Sequence, residues 1–219
     1  MTILAVELRY FEVLIYPGAG LIGWLLWALS VATLALIVEG LVSIRRRNLL
    51  PPALRDRAAE LLAARKYDEA IDLTAGRGDL LAAPLHAALA EAPHGFAAMT
   101  DAAAAACEQH ATRLLRKVER LNLIGNISPM LGLLGTVWGM INAFFTIVEK
   151  GTPDPRDLAG GIGTALVTTL LGLAIAIPAL AVYSLLRSRV DACADEALGT
   201  CDDLLAAFRP EPAPEPDAS

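Results

Sequence analysis

Cysteine is scarce in this chain: three in 219 residues cannot knit a disulfide framework. Basic charge is not in excess either. Lysine and arginine number 18 against 24 acids, a net charge of -6, which argues against nucleic acid as a partner, since such proteins carry a basic footprint. Charged residues make up only 19% of the chain, below the roughly 25% of an ordinary soluble domain. Aromatics contribute 5%, so Ala, Leu, Ile, Val and Gly supply the apolar mass. Disorder of the whole chain is excluded, because disorder needs low apolar content and 55% of these residues are hydrophobic. His86, His94 and His110 lack zinc-ligand spacing. No Ser/His/Asp grouping is visible, and GLLGTVWG has no lysine with which to form a phosphate loop. These absences leave enzyme chemistry without a home, and predict a protein that is not an enzyme and holds no cofactor or metal.

What is present is an uneven distribution of charge. Residues 13–38, 121–148 and 158–186 contain no Asp, Glu, Lys or Arg. Each run exceeds the roughly 20 apolar residues that a bilayer-spanning helix requires. The expected fold is therefore an all-α membrane protein with three transmembrane helices, over 13–44, 121–148 and 158–186. The segment before the first, MTILAVELRYFE, is mixed in charge. It predicts an uncleaved span rather than a signal peptide, with residues 1–12 near the outer interface and a bend at Pro17-Gly18. Arg45, Arg46 and Arg47 follow the first run, Arg113, Arg116, Lys117 and Arg120 precede the second, and Arg187 and Arg189 follow the third. The positive-inside rule then places residues 45–120 and the C-terminus in the cytoplasm, with the N-terminus and the 149–157 loop outside. All three cysteines fall on the reducing side, so free thiols are expected. The 45–120 region reads as a small helical domain that starts after Pro51-Pro52, with Leu61, Leu62, Ala70, Ile71 and Leu73 facing inward. The Ala-rich stretch from Asp101 enters the second span without a breaker. Residues 187–208 extend the third span as a cytoplasmic helix, and 209–219 form a Pro- and acid-rich disordered tail.

Inside the spans the polar residues are few. The second carries Asn122, Asn126, Ser128, Thr136, Asn142 and Thr146, the third Thr164, Thr168 and Thr169, and neither contains an ionisable group. At 1.5 Å per residue, Thr136 lies about 18 Å from the outer end of its span and Thr169 about 17 Å from the outer start of its own. In an antiparallel pair they share a layer near mid-membrane. Thr164 and Thr168 share a face, while Thr169 is turned from it by about 100°. Two readings stand: hydroxyls lining an ion path whose titrating acid comes from elsewhere, or hydroxyls that bond their own helix and glue helices together. Gly132, Gly135, Gly139 and Gly172, with Gly160, Gly161 and Gly163, suit close helix packing. Pro129 and Pro178 each remove one helix hydrogen bond and are candidate kinks. Glu39, just before the Arg triplet, reads first as an interfacial acid paired with arginine.

At NLIGNISPMLGLLGTVWGMINAFFTI and LAGGIGTALVTTLLGLAIAIPALAVYSLL the chain resembles the MotA/TolQ/ExbB proton channel family, closest to its ExbB/TolQ branch. The resemblance extends over most of the chain, including the order of one span, a cytoplasmic domain and two long helices. It implies a homopentamer whose second and third spans line a central pore. That pore holds a dimer of a single-span partner of the ExbD/TolR type, whose membrane-embedded Asp carries protons. A TonB- or TolA-like transducer then delivers the energy to an outer-membrane process. The family's pore threonines match Thr136 and Thr169 here, with Thr164 and Thr168 as further candidates for the path. Many ExbB/TolQ proteins carry Glu five residues before the third-helix threonine, whereas this chain has Thr164 there. H⁺ is the expected coupling ion and Na⁺ the alternative. The resemblance also implies the lipid bilayer of a bacterial inner membrane as the setting. A flagellar-type stator subunit and a non-conducting membrane scaffold are the competing readings.

Overall fold

The computed structural model of the chain describes residues 20–150 and 155–209. Among these, all regular structure is helical: α1 Gly20–Ser43, α2 Arg46–Leu49, α3 Pro52–Ala63, α4 Tyr67–Thr74, α5 Ala82–Ala90, α6 Phe96–Lys150 and α7 Pro155–Leu205, with single 3-10 turns at Ala92–His94 and Ala206–Phe208. The backbone divides into two compact units. One combines Val118–Leu185 with the segment ending at Gly40; the other combines Leu41–Lys117 with the segment that begins at Leu186.

In the first unit, α1, α6 and α7 are each long and apolar enough to cross a membrane. Along α1, Leu21, Trp24, Val31, Leu34 and Val38 are all exposed, while Gly23, Leu26 and Thr33 are buried. An apolar surface of this kind is stable only against lipid or another apolar chain. The lone buried hydroxyl on α1 is satisfied within its own helix, Thr33 Oγ1 donating to the Leu29 carbonyl at 2.7 Å. Glu39, near the end of α1, is exposed.

The second unit is a small helical bundle. Leu54, Ala58, Leu61 and Leu62 of α3, Ala70 of α4, and Leu85, Ala88 and Leu89 of α5 form a core with Met99 and Ala103 of α6 and Cys201 and Leu205 of α7. Ile71 and Leu73 pack against it half-buried. Pro52 occupies the first turn of α3, where its missing N–H costs nothing. Between α3 and α4 the helix ends at Ala64–Lys66. There Lys66 N–H donates to the Leu61 carbonyl and Arg65 N–H to the Leu62 carbonyl, with Arg65 in the left-handed region at φ 57. This is a Schellman end built on arginine instead of the usual glycine. Arg65→Gly is therefore expected to raise the stability of this unit by about 0.5–1 kcal/mol, the left-handed penalty less the added chain entropy, read as a rise in thermal midpoint. Arg46 forms a two-pronged ion pair with Glu196 of α7, which holds the Glu196 carboxyl below the usual carboxylate range through that hydrogen bond. Cys107, Cys193 and Cys201 are free and buried. Burial pushes the Cys201 thiol up to about 12, leaving it unreactive at neutral pH.

The long helices run on past the uncharged stretches, as the Ala-rich approach to the second span and the extension of the third lead one to expect. The α6 helix continues from the second unit through the span to Lys150, and α7 restarts at Pro155. The 149–157 link is thus helical at both ends, since helix hydrogen bonding does not require apolar side chains. The third span and its extension are one helix up to Leu205. Pro129 and Pro178 are both passed without a break. The expectations for 1–19, including the Pro17-Gly18 bend, and for 210–219 lie outside the described residues.

Candidate functional site

The spans of α6 and α7 meet along a seam of small residues. On α6 these are Gly125, Ser128, Gly132, Gly135, Gly139 and Ala143; on α7 they are Gly161, Ala165, Thr168, Gly172 and Ala179. The three-and-four spacing keeps each set on one helical face. Lipid tails are as apolar as leucine, so such helices associate through close van der Waals contact and interhelical hydrogen bonds rather than through hydrophobic burial. Closeness is tightest at two glycines. A Cβ at Gly172 would stand 2.5 Å from the Ser128 carbonyl oxygen, and one at Gly135 would stand 2.6 Å from Thr168 Cβ. Gly132 faces the Thr168 carbonyl and Thr169 Cα, and Gly139 faces Ala165. Gly160 and Gly163, by contrast, open onto empty space.

The four candidate threonines separate into distinct situations. Thr168 is buried in the seam, its hydroxyl donating to the Ala165 carbonyl at 2.7 Å and to the Gly132 carbonyl across the seam at 3.3 Å. Its place is between helices, so it packs and bonds the seam rather than facing any opening of this chain. Thr169 is half-buried and also donates to the Gly132 carbonyl, at 3.2 Å. Thr136 is half-buried, its hydroxyl donating to the Leu133 carbonyl at 2.7 Å. Thr164 bonds back to Gly160 and Gly161 at 3.2 and 2.9 Å. Because Thr169 bonds at Gly132 and Thr168 packs at Gly135, Thr136 lies within about one 5.4 Å turn of the level of Thr169.

A hydroxyl that spends its proton on a helix carbonyl keeps two lone pairs as acceptors, and at Thr136 and Thr169 the side chain is only half-buried. Thr136 and Thr169 are therefore acceptors, able to receive a hydrogen bond from a proton-carrying water or to contact a small cation. They cannot themselves hold and release a proton at neutral pH, and neither span contributes a carboxylate. Among the described residues no cluster of His, Cys, Asp and Glu is arranged to hold a metal ion.

One group escaped the sequence reading. At the end of the spans nearest the arginines, Tyr183 Oη donates to Glu119 Oε2 at 3.2 Å and Asn122 Nδ2 donates to Glu119 Oε1 at 2.7 Å. Asn126 Nδ2 then donates to Asn122 Oδ1 at 2.9 Å. Glu119 lies just outside the uncharged run, at the end of the Ala-rich stretch that begins at Asp101. The i, i+3, i+7 placement of Glu119, Asn122 and Asn126 on one helical face was the available signal. The partner on α7 had none.

Comparison with known proteins adds to this geometry. Residues 75–197 match the family described as the MotA/TolQ/ExbB proton channel family. A relative from Vibrio cholerae, biopolymer transport protein exbB1, is 32% identical over 176 residues, covering 78% of this chain and 77% of the relative. Biopolymer transport protein ExbB of Salmonella typhimurium is 43% identical over 70 residues, covering 32% of this chain and 29% of the relative. The Tol-Pal system protein TolQ of Haemophilus influenzae is 39% identical over 79 residues, 36% of this chain and 35% of the relative. The match thus spans about a third of the Salmonella and Haemophilus proteins and most of the Vibrio one.

Proposed function

The chain belongs to the MotA/TolQ/ExbB proton channel family, and from that premise we propose that it is the ion-path subunit of an inner-membrane complex driven by the proton-motive force. Five copies surround a central pore, each contributing its second and third spans. A dimer of a single-span protein of the ExbD/TolR type occupies the pore, and a TonB- or TolA-like transducer passes the work to an outer-membrane process. The N-terminus lies outside and the second unit in the cytoplasm, as the arginine distribution supports. The subunit performs no covalent chemistry. Its part is to provide polar oxygens at mid-membrane and a wall that excludes other ions.

The observation that carries this reading is that Thr136 and Thr169 lie within about one helical turn of a common level, beside spans with no carboxylate. Acceptor oxygens without a titratable group make half of a proton relay. The other half, an acid that binds and releases the proton, has to come from another chain. H⁺ is the coupling ion on this reading, and Thr164 in place of the glutamate of many relatives keeps Na⁺ as the alternative. Purification of the tagged chain from its native membrane is expected to bring down one short protein with a single span containing an Asp. Recovery of the chain with no second membrane protein would refute the relay.

A further inference from the structure

Resting on the ion-path reading above, the next question is what a cation meets after leaving the threonine layer for the cytoplasm. Positions 109–148 of α6 and 158–190 of α7 contain one carboxylate between them, Glu119. Asn122 lies four helical turns from Thr136, and Tyr183 lies four turns from Thr169 in the matching direction, about 21 Å in each case and rotated by only about 40°. The two faces that carry the hydroxyls at mid-membrane therefore carry, at their inner ends, the two side chains that hold Glu119.

The setting gives the carboxylate a task. Arg116, Lys117 and Arg120 flank it in sequence, and fixed positive charge at an exit repels a departing cation. Glu119 is exposed. The donors Tyr183 and Asn122 fix its two oxygens while leaving each with unused lone pairs. Asn126 continues the polar line one turn deeper, its amide bonded to Asn122 Oδ1 and the Asn122 carbonyl. A carboxylate tethered from both helices is a fixed negative point rather than a free-swinging surface charge.

We infer that Glu119 is the receiving group at the inner mouth of the path, the first carboxylate to which the coupling cation passes on its way to the cytoplasm. For a proton, an O–H bond forms at a Glu119 oxygen as the O–H bond of a hydronium in the path breaks, leaving water. The acid then gives the proton to a cytoplasmic water, restoring the carboxylate and forming hydronium there. For Na⁺, the same oxygens contact the ion without bond making. Both share one chemistry, a monovalent cation meeting an anchored carboxylate.

The test uses the full chain copurified with its single-span partner in proteoliposomes, with a pH-sensitive dye reading H⁺ flux and a sodium dye reading Na⁺ flux. Glu119→Gln keeps the shape and a hydrogen-bond acceptor but removes the charge. It is expected to lower flux by about tenfold or more, the scale on which a focusing charge alters ion entry, in whichever arm the wild type carries. Glu119→Asp restores flux to within about threefold, and Tyr183→Phe, which loosens the tether, falls between the two. Thermal midpoints of all three variants stay close to wild type. Wild-type flux in Glu119→Gln, in a preparation where Thr136→Val is inactive, would overturn this inference and leave the ion path standing. Failure of Glu119→Asp to restore flux, with a lowered thermal midpoint in both variants, would reduce the bonds from Tyr183 and Asn122 to Glu119 to a structural clamp. Absence of flux from the wild-type complex in both arms removes the ion path and the inference with it.

Discussion

Thr136→Val and Thr169→Val each lower ion-driven flux by about a hundredfold or more, the equivalent of roughly 2.7 kcal/mol added to the barrier, while the purified protein keeps its assembly. Valine matches threonine in shape, so the substitution removes the hydroxyl without opening a cavity. At Thr136 the only bond lost is to the Leu133 carbonyl of its own helix, which contributes little to the fold. At Thr169 the lost bond is the one to the Gly132 carbonyl across the seam, worth about 1 kcal/mol of net stability. Neither loss explains a hundredfold fall by unfolding. Serine at either position retains the oxygen and is expected to keep most of the flux. Thr168→Val is the informative contrast: it sacrifices a buried seam bond, so it lowers the thermal midpoint but leaves the path oxygens in place. Proteoliposome flux measured beside thermal unfolding in detergent separates the two. Wild-type flux in both Thr136→Val and Thr169→Val would end the assignment of these residues to the path.

Gly172→Val is expected to destabilise the chain by about 3 kcal/mol or more, at the upper end of the cost of overpacking. The obstacle is backbone: the new Cβ meets the Ser128 carbonyl oxygen at 2.5 Å and Gly132 Cα at 3.2 Å, neither of which can rotate away. The helices must part, and the bonds from Thr168 and Thr169 to Gly132 are lost with the contact. Gly160→Ala meets open space within the chain and gains up to about 1 kcal/mol from helix propensity. The measurements are thermal midpoint and retention volume on size-exclusion chromatography. Near-native stability of Gly172→Val would mean that the seam is not the close contact described. Loss of assembly in Gly160→Ala with an unchanged midpoint would place that glycine against a second copy of the chain.

Much of this architecture was legible without coordinates. The three spans follow from the absence of charge over 121–148 and 158–186 and most of the first run, and the absence of an acid in the last two spans was equally plain. Gly132, Gly135, Gly139 and Gly172 were singled out by small-residue spacing, and all four lie in the seam. The threonines were harder. Thr168 and Thr169 are adjacent, about 100° apart on the helix, and spacing cannot say which is turned into the seam. The structure turns Thr168 inward and leaves Thr169 half-buried. Arg65 was unreadable for a different reason: nothing in arginine announces a left-handed helix end, which here follows from the backbone bonds of Lys66 and Arg65.

What the sequence determined by itself was what depends on summed local transfer energies: where the uncharged apolar runs lie, that three helices are apolar enough to cross a membrane, and that the second and third runs hold no carboxylate. What only the tertiary structure decided was rotation and register. Glu119 and Tyr183 meet across the seam although no sequence pattern joins them, because the rotation of α6 against α7 is set by the fit of small residues and their backbones. That fit is a property of two surfaces in contact and is not carried by either helix alone.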